Sequence, residues 1–409
     1  MANVKKGHKK TELCEIPEEW EVIKLDKIFD FYGGQPIPRR QLNDDGVAYL
    51  HYGDIHTLNR SYIDIRHDTN WLPKLNTEQK INEDSLLYEG DIVFVDASED
   101  YEGIGKSVVI YNQGKIPFVA GLHTIIAKEK SKKLNDNFKR YCFSTRAVRQ
   151  QFRMLATGAT VYGISKTNIK SIIIAVPPLP EQKKIAEILS TVDELIEQTD
   201  ALIEKTKELK NGLMQQLLTR GIGHTRFKKT ELGEIPEEWE VCKFGEVLEL
   251  EYGFSLPEKD RKEGPFPVYG SNGIVGYHDK YFVRAPGIIL GRKGSIDKVR
   301  YSEINFCPID TTYYVNNKKH CEWKWLFYLI SIQDIRSLNA ATGVPSLNRK
   351  DFYTLKAAIP PIEEQRQIAT IINEVDVQID KYNNKKNILL VLKQGLMQKL
   401  LTGQIRVKV

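Results

Sequence analysis

The sequence is poor in everything that would anchor a protein in a membrane or staple it with disulfides. No apolar run approaches the roughly 20 residues needed to cross a bilayer. The first ten residues, MANVKKGHKK, are basic but are followed by no apolar core, so the expectation is a chain without a signal peptide, working in the cytoplasm with no membrane partner. Five cysteines (Cys14, Cys142, Cys242, Cys307 and Cys321) stand singly, in odd number and without Cys-x-x-Cys spacing. That pattern argues for reduced thiols and against a disulfide framework or a zinc cluster. Nucleotide motifs are missing as well. Gly103-Ile104-Gly105-Lys106-Ser107 has the end of a phosphate loop, but the glycine required five residues before Gly105 is replaced by Asp100. No Asn/Asp-Pro-Pro-Tyr motif and no G-x-G-x-x-G turn occurs. His51, His56 and the His320–Cys321 pair have no further ligands at metal spacing. One acidic pair with a lysine, Asp310, Glu322 and Lys324, leaves open a rival expectation, a stand-alone metal-dependent nuclease. Trp323 and Trp325 beside it favour an ordinary packed helix.

What remains is a chain of 409 residues with 41% hydrophobic and 28% charged residues and a net charge of +5. These are the proportions of a globular protein of two or three domains. Its internal repeats say more. Lys9–Val22 (KKTELCEIPEEWEV) returns as Lys228–Val241 (KKTELGEIPEEWEV), with one difference in fourteen positions. Pro177-Pro178-x-x-Glu181-Gln182-x-x-Ile185-Ala186 returns as Pro360-Pro361-x-x-Glu364-Gln365-x-x-Ile368-Ala369. Gly212-Leu213-Met214-Gln215 returns as Gly395-Leu396-Met397-Gln398. Between these landmarks, residues 23–155 and 242–340 share little. A nearly identical frame around divergent inserts implies a common task for the frame and a separate one for each insert.

After each Pro-Pro the hydrophobic period becomes helical. Ile185, Val192, Thr199, Thr206 and Leu213 form one heptad series, and Ile188, Leu195, Leu202 and Leu209 a second. Ile368, Val375, Tyr382, Leu389 and Leu396, with Ile371 and Leu392, repeat them in the other copy. This spacing predicts two long paired helices of some 35–40 residues, about 55 Å each. Pro180 suits a first helical turn, and Gly221 and Gly403 lie just past the ends. Leu189, Ile196 and Ile203 widen the apolar stripe beyond a two-stranded seam. Together with Leu195, Ile372 and Ile379 they are the candidates for docking another protein. The charge excess lies outside these two stretches, so an anion-binding surface is expected on the inserts.

The inserts contain short β-rich runs, Asp91–Val95, Val108–Tyr111, Gly287–Leu290 and Thr311–Val315, followed by helical stretches near 137–154 and 322–339. Cations, amides and hydroxyls gather in their turns. In the first copy these are Gln35, Arg39 and Arg40 on a Gly/Pro-constrained loop, Ser98, Lys106 and Ser107 in a second, and Thr157, Thr160 and Lys166 in a third. In the second copy they are Arg292, Lys293, Ser295 and Lys298 in a Gly-rich turn, then Thr342, Ser346, Asn348, Arg349 and Lys350. A guanidinium in such a turn can fork onto a base edge or a phosphate, while hydroxyls and lysines suit phosphates.

These landmarks resemble the specificity subunit of type I restriction-modification systems (HsdS) over nearly the whole length. They are Ile-Pro-Glu-Glu-Trp at 16–20 and 235–239, Pro-Pro-x-x-Glu-Gln before each helix, and Gly-Leu-Met-Gln near each helix end. Tyr49–Ile55 and Gly90–Val93 look like first-domain signatures, and Phe266–Gly273 with Gly291–Ser295 like second-domain ones. Asp297 stands where many relatives carry glycine. The resemblance implies an α+β protein: two mixed, β-rich target-recognition domains separated by two long antiparallel coiled-coil helices, in a pseudo-twofold internal repeat. Its divisions fall at 1–178, 179–220, 221–361 and 362–409. It implies a non-catalytic, sequence-specific DNA-binding subunit in which each domain reads one half of a bipartite asymmetric site. The helices would serve as spacer and as docking surface for two methyltransferase subunits, with restriction subunits joining for cleavage. S-adenosylmethionine, ATP and magnesium are expected on those partners only.

Overall fold

The computed structural model describes residues 6–76, 79–339 and 341–408; the first five residues of the basic N-terminal stretch lie outside them. Two compact units emerge: 1–198 with 386–409, and 199–385. The long helices span Leu179–Arg220 and Ile362–Leu400, 42 and 39 residues, the first of them about 63 Å at 1.5 Å per residue. Among the described residues no helix is long and apolar enough to cross a membrane.

Each unit closes its insert in the same way. In the first, strand Glu21–Lys24 pairs antiparallel with Ile173–Val176; in the second, Glu240–Lys243 pairs with Lys356–Ile359. The insert thus leaves and returns at one place, beside the start of a long helix. The first insert builds a five-stranded sheet in the order Phe29–Gly33, Thr124–Glu129, Ile92–Val95, Ser107–Tyr111, Tyr62–Asp64. The second builds four strands in the order Leu248–Tyr252, Thr312–Asn317, Gly287–Gly291, Val299–Ser302. The fifth strand, Tyr62–Asp64, belongs to the extra length of the first copy. The β-rich runs read from the sequence are the inner strands of these sheets, and Ile92–Val95 and Gly287–Gly291 are buried along their length. Asn135 and Thr145 cap the two helices that follow the first sheet, and Glu322 caps the helix after the second.

The repeated landmarks touch one another. In the first unit the Trp20 indole N–H donates to Glu181 Oε2 at 2.9 Å; in the second, Trp239 donates to Glu364 Oε2 at 2.9 Å. Both indoles are fully buried. Gln182 and Gln365 each donate to the first proline carbonyl of their motif, at 2.8 and 2.9 Å. They also accept a backbone N–H at a helix start, from Asn135 and Glu322 respectively. The glycines past the helix ends are required twice over. Gly221 and Gly403 have φ of 64° and 70°. A Cβ there would sit 2.3 Å from Glu364 Oε1 or from Pro17 Cδ.

Within each unit the long helices run antiparallel. In the first, Glu181 meets Arg406 and Asp193 meets Lys393, at 2.7 and 2.6 Å. In the second, the Ile222 N–H reaches Glu364 at 2.9 Å and Lys210 meets Asp376 at 2.6 Å. Their seam differs from the expected one. The series Ile185, Val192 and Thr199 is buried as read, but its inner partner is Leu189 and Ile203, the residues taken as extra. Leu195, Leu202 and Leu209, taken as the second inner series, are exposed. Each unit's core fills one side of the helix and rotates the apolar face toward itself.

One buried carboxylate in the first unit gives a pH test. Asp91 is pushed up to about 6, chiefly by burial, against the opposing hydrogen bond from the Tyr88 N–H and the charge of Lys128. Its folded-state value lies above the unfolded one, so this group stabilises at low pH. The contribution is lost as pH rises from about 4 through about 6. Asp91→Asn keeps the acceptor for Tyr88 and removes the buried charge. The variant is expected to melt several degrees above the wild type at pH 8, with the gap closing by pH 4; a lower melting temperature at pH 8 contradicts this assignment.

Candidate nucleic-acid interface

In the second unit, strand pairing joins the two turns that the sequence had marked separately. Lys293 bridges Ser346, the Gly294 N–H donates to Pro345 O at 2.8 Å, and the Leu347 N–H donates to Arg292 O at 3.0 Å. Tyr252, about half exposed, lies beneath two guanidinium groups, Arg349 at 4.8 Å and Arg292 at 5.6 Å from the ring centre. Each arginine is tethered by a carbonyl: Arg292 Nε donates to Asp310 O at 2.7 Å, and Arg349 Nη1 to Leu250 O at 3.3 Å. Neither has a carboxylate partner among the described residues. A planar cation held by one nitrogen and an aromatic face is pre-oriented, so little side-chain entropy is lost when it binds. Tyr313 packs against Tyr252 with ring centres 5.2 Å apart, and burial pushes its hydroxyl up to about 12, so it is a neutral phenol at working pH.

Lys293, Lys298, Thr342, Asn348 and Lys350 are exposed around this centre, and Ser295 and Ser346 half-buried. Asn348 caps the helix Arg349–Thr354, its side-chain oxygen accepting the Lys350 N–H at 3.0 Å. Asp297, the departure noted in the Gly-rich turn, is paired with Arg336 at 2.7 Å. The hairpin turn at Ser271–Asn272 also belongs here. Arg300 Nη2 donates to Asn272 O at 3.3 Å, and Ser271 Oγ lies 3.3 Å from where a Cβ on Gly294 would stand. Ser271 and Asn272 fall within the Phe266–Gly273 signature, whereas Tyr252 and Arg300 carry no signal in the sequence, because only strand register brings them to the turn.

The first unit makes the analogous junction. Tyr162 and Gly163 pair with Ser98 and Ala97, and Thr157 bridges Gly163. Thr157, Thr160 and Lys166 are exposed and Ser107 is half-buried at a strand start. Arg40 is exposed, and Arg39 pairs with Asp54 at 2.8 Å while keeping most of its side chain in solvent. Three residues expected to face DNA turn inward instead. Gln35, 8% exposed, donates to Lys80 O at 3.0 Å and accepts from the Asn82 N–H at 2.9 Å. Ser98, 5% exposed, accepts the Asp100 N–H at 3.2 Å. The Lys106 ammonium is half-buried and donates to His56 O and Leu58 O, both at 2.8 Å; burial lowers its pKa. These three fasten loops, because a buried polar group must be paired within the protein. Unforeseen at this junction are Tyr101, exposed and packed at a tilt against Tyr162 with ring centres 3.8 Å apart, and the pair His123–Asp96 at 3.2 Å.

Two further expectations need correction. Of the docking candidates, Leu189, Ile203 and Ile372 are buried, Ile196 and Ile379 half-buried, and only Leu195 exposed. Other apolar residues are exposed on the helices, among them Leu202 and Leu209 on one and, most fully, Ile388 and Val391 on the other, at 69% and 70%. The rival nuclease set is committed elsewhere. Glu322 caps a helix through the Trp325 N–H, Lys324 pairs with Glu303 at 2.7 Å, and Asp310 serves through its carbonyl. Among the described residues no group of three or more His, Cys, Asp or Glu side chains could hold a metal ion.

The family model for the type I restriction modification DNA specificity domain matches residues 17–208 and 236–390. The chain is 31% identical to the "Putative type I restriction enzyme MjaX specificity subunit" of Methanocaldococcus jannaschii, over 98% of this chain and 97% of that one. It is 26% identical to the MjaVIII specificity subunit of the same organism, over 96% and 94%. Its fold is similar to that of the type I restriction-modification S subunit from M. genitalium, with a TM-score of 0.58, 18% identity and coverage of 93% and 96%.

Proposed function

The chain belongs to the type I restriction-modification DNA specificity family, and from that membership we propose that it is the DNA-reading subunit of such a system. Each β-rich unit engages one half of a bipartite, asymmetric site. The observation that carries this is the contrast within each unit between a shared frame and an unshared reading edge. Trp20–Glu181 and Trp239–Glu364 are the same hydrogen bond at the same distance. The junctions around Ser98 and Arg292 carry different side chains on similar backbones. A symmetric homodimer would read a palindrome; two unlike units read unlike halves.

The helices act as spacer and as the seat for two methyltransferase subunits, with restriction subunits joining the assembly. Exposed Ile388 and Val391 supply apolar surface for that seat. The subunit itself is non-catalytic and cytoplasmic, and S-adenosylmethionine, ATP and magnesium serve the partner subunits. Binding of the assembled complex to its DNA is expected to weaken steeply with salt. Changing Lys293, Lys298 and Lys350 to alanine together should flatten the slope of log K against log salt by roughly 0.9 for each phosphate left without its cation, about 2.7 in all. An unchanged slope would remove these lysines from the interface.

A further inference from the structure

The two units can be aligned residue by residue through hydrogen bonds they share, even though their inserts have few residues in common. The Gly34 N–H donates to Thr124 O and the Gly253 N–H to Thr312 O, each at 3.1 Å. Thr124 and Thr312 cap the same turn, donating to Gly121 O and Ile309 O at 2.6 and 2.7 Å. The Asp96 N–H donates to His123 O where the Arg292 N–H donates to Thr311 O, at 3.2 and 2.8 Å. The Ile164 N–H donates to Asp96 O where the Leu347 N–H donates to Arg292 O, at 2.9 and 3.0 Å. Strand register adds that Gly33 faces Ile125 as Tyr252 faces Tyr313. Position 96 of the first unit is therefore position 292 of the second, 123 is 311, 33 is 252, and 166 is 349.

At these equivalent places the chemistry inverts. The second unit sets out an aromatic floor and two arginines, Tyr252, Arg292 and Arg349, with the terminal nitrogens of Arg292 lacking partners among the described residues. The first unit has a glycine for the floor, with Lys166 Nζ 3.9 Å from the place its Cβ would take. In place of Arg292 it has a carboxylate, Asp96, braced by His123 at 3.2 Å. Each side chain is fixed to the domain from one side, and each sits beside a junction of loops that differs between the units.

Resting on the function proposed above, we infer that position 96/292 sets the base class read by each unit. Arg292 offers two parallel N–H donors and takes a guanine through O6 and N7. Asp96 only accepts and takes a base bearing an exocyclic amine, cytosine N4 or adenine N6. Lys166 and the lysines beside Arg292 bind phosphate and carry no sequence information.

The test maps the methylated sequence of the complex assembled with its methyltransferase subunits, for wild type, Arg292→Gln, Arg292→Lys, Asp96→Asn and Lys293→Ala. Wild type is expected to require a G·C pair in one half-site. Arg292→Gln should lower discrimination at that one pair about 10- to 100-fold, with adenine gaining, and leave the other half untouched. Asp96→Asn should change one position in the other half, and the base no longer required there separates cytosine from adenine. Lys293→Ala should leave the sequence intact while weakening binding to all sites. If Arg292→Gln fails to fold, Arg292→Lys carries the same test through lowered discrimination at that pair, since it keeps the charge and replaces the rigid planar fork with a flexible ammonium. The inference is overturned if neither Arg292 variant alters the sequence, if either alters both halves, or if the half they alter has no G·C pair. A wild-type complex that recognises no bipartite sequence would instead overturn the function on which the inference rests.

Discussion

Trp239→Ala is expected to destabilise the second unit by about 3–5 kcal/mol, the cost of emptying a fully buried indole site. The change removes more than packing. Trp239 donates to Glu364 at 2.9 Å, and the same carboxylate accepts from the Ile222 N–H at 2.9 Å and meets His224 at 2.8 Å. One residue of the Pro-Pro-x-x-Glu-Gln motif thus ties together the Ile-Pro-Glu-Glu-Trp motif, the turn after the first long helix and the start of the second. Trp239→Phe keeps a ring and gives up the N–H, so it should cost about 1–3 kcal/mol. Denaturant unfolding followed by near-ultraviolet circular dichroism reads both. A destabilisation under about 1 kcal/mol for the alanine variant would mean that the repeated frame is not what holds the insert to the helix. The first unit uses the same joint with a different clamp: Arg406 grips Glu181 at 2.7 Å and also reaches Glu19.

Ile388→Glu combined with Val391→Glu is expected to abolish stable association with the methyltransferase subunits, weakening it about 100-fold or more, while leaving the melting temperature within a degree or two. Both side chains stand about 70% in solvent, so charging them costs the isolated chain little. Burying those charges in an apolar seat would cost several kcal/mol. The fully buried Leu189 gives the contrast: Leu189→Glu should unfold the first unit. Sedimentation of the mixed subunits distinguishes the two. A double variant that assembles normally would move the docking surface elsewhere.

The architecture was readable because its frame is repeated. Two copies of Ile-Pro-Glu-Glu-Trp and two of Pro-Pro-x-x-Glu-Gln announce two units before any strand is placed, and heptad spacing announces both helices. Periodicity alone cannot say which side of a helix meets a domain, so the outward Leu195 series passed for the inner partner of the Ile185 series. The turns at 292–298 and 342–350 stand out in the sequence as separate polar loops, and only register unites them over one aromatic ring. Gln35, Ser98 and Lys106 show the reverse failure. An amide, a hydroxyl and an amine in a glycine-rich loop look the same in sequence whether they face solvent or fasten the loop from within. Asp193 had no signal either, although it gathers Tyr141, Arg140 and Lys393 at 2.7, 3.1 and 2.6 Å. Asp376 does the same for Tyr328 and Lys210 at 2.7 and 2.6 Å.

If one chain carries two independent DNA-reading heads on a common frame, each head should be exchangeable without disturbing the other. The decisive experiment replaces residues 25–172, between the paired strands Glu21–Lys24 and Ile173–Val176, with the corresponding insert of another specificity subunit and maps the modified sequence in a genome. Independent heads require that one half of the target changes, while the other half and the interval between them stay as they were. A target that changes in both halves, or in neither, would contradict this.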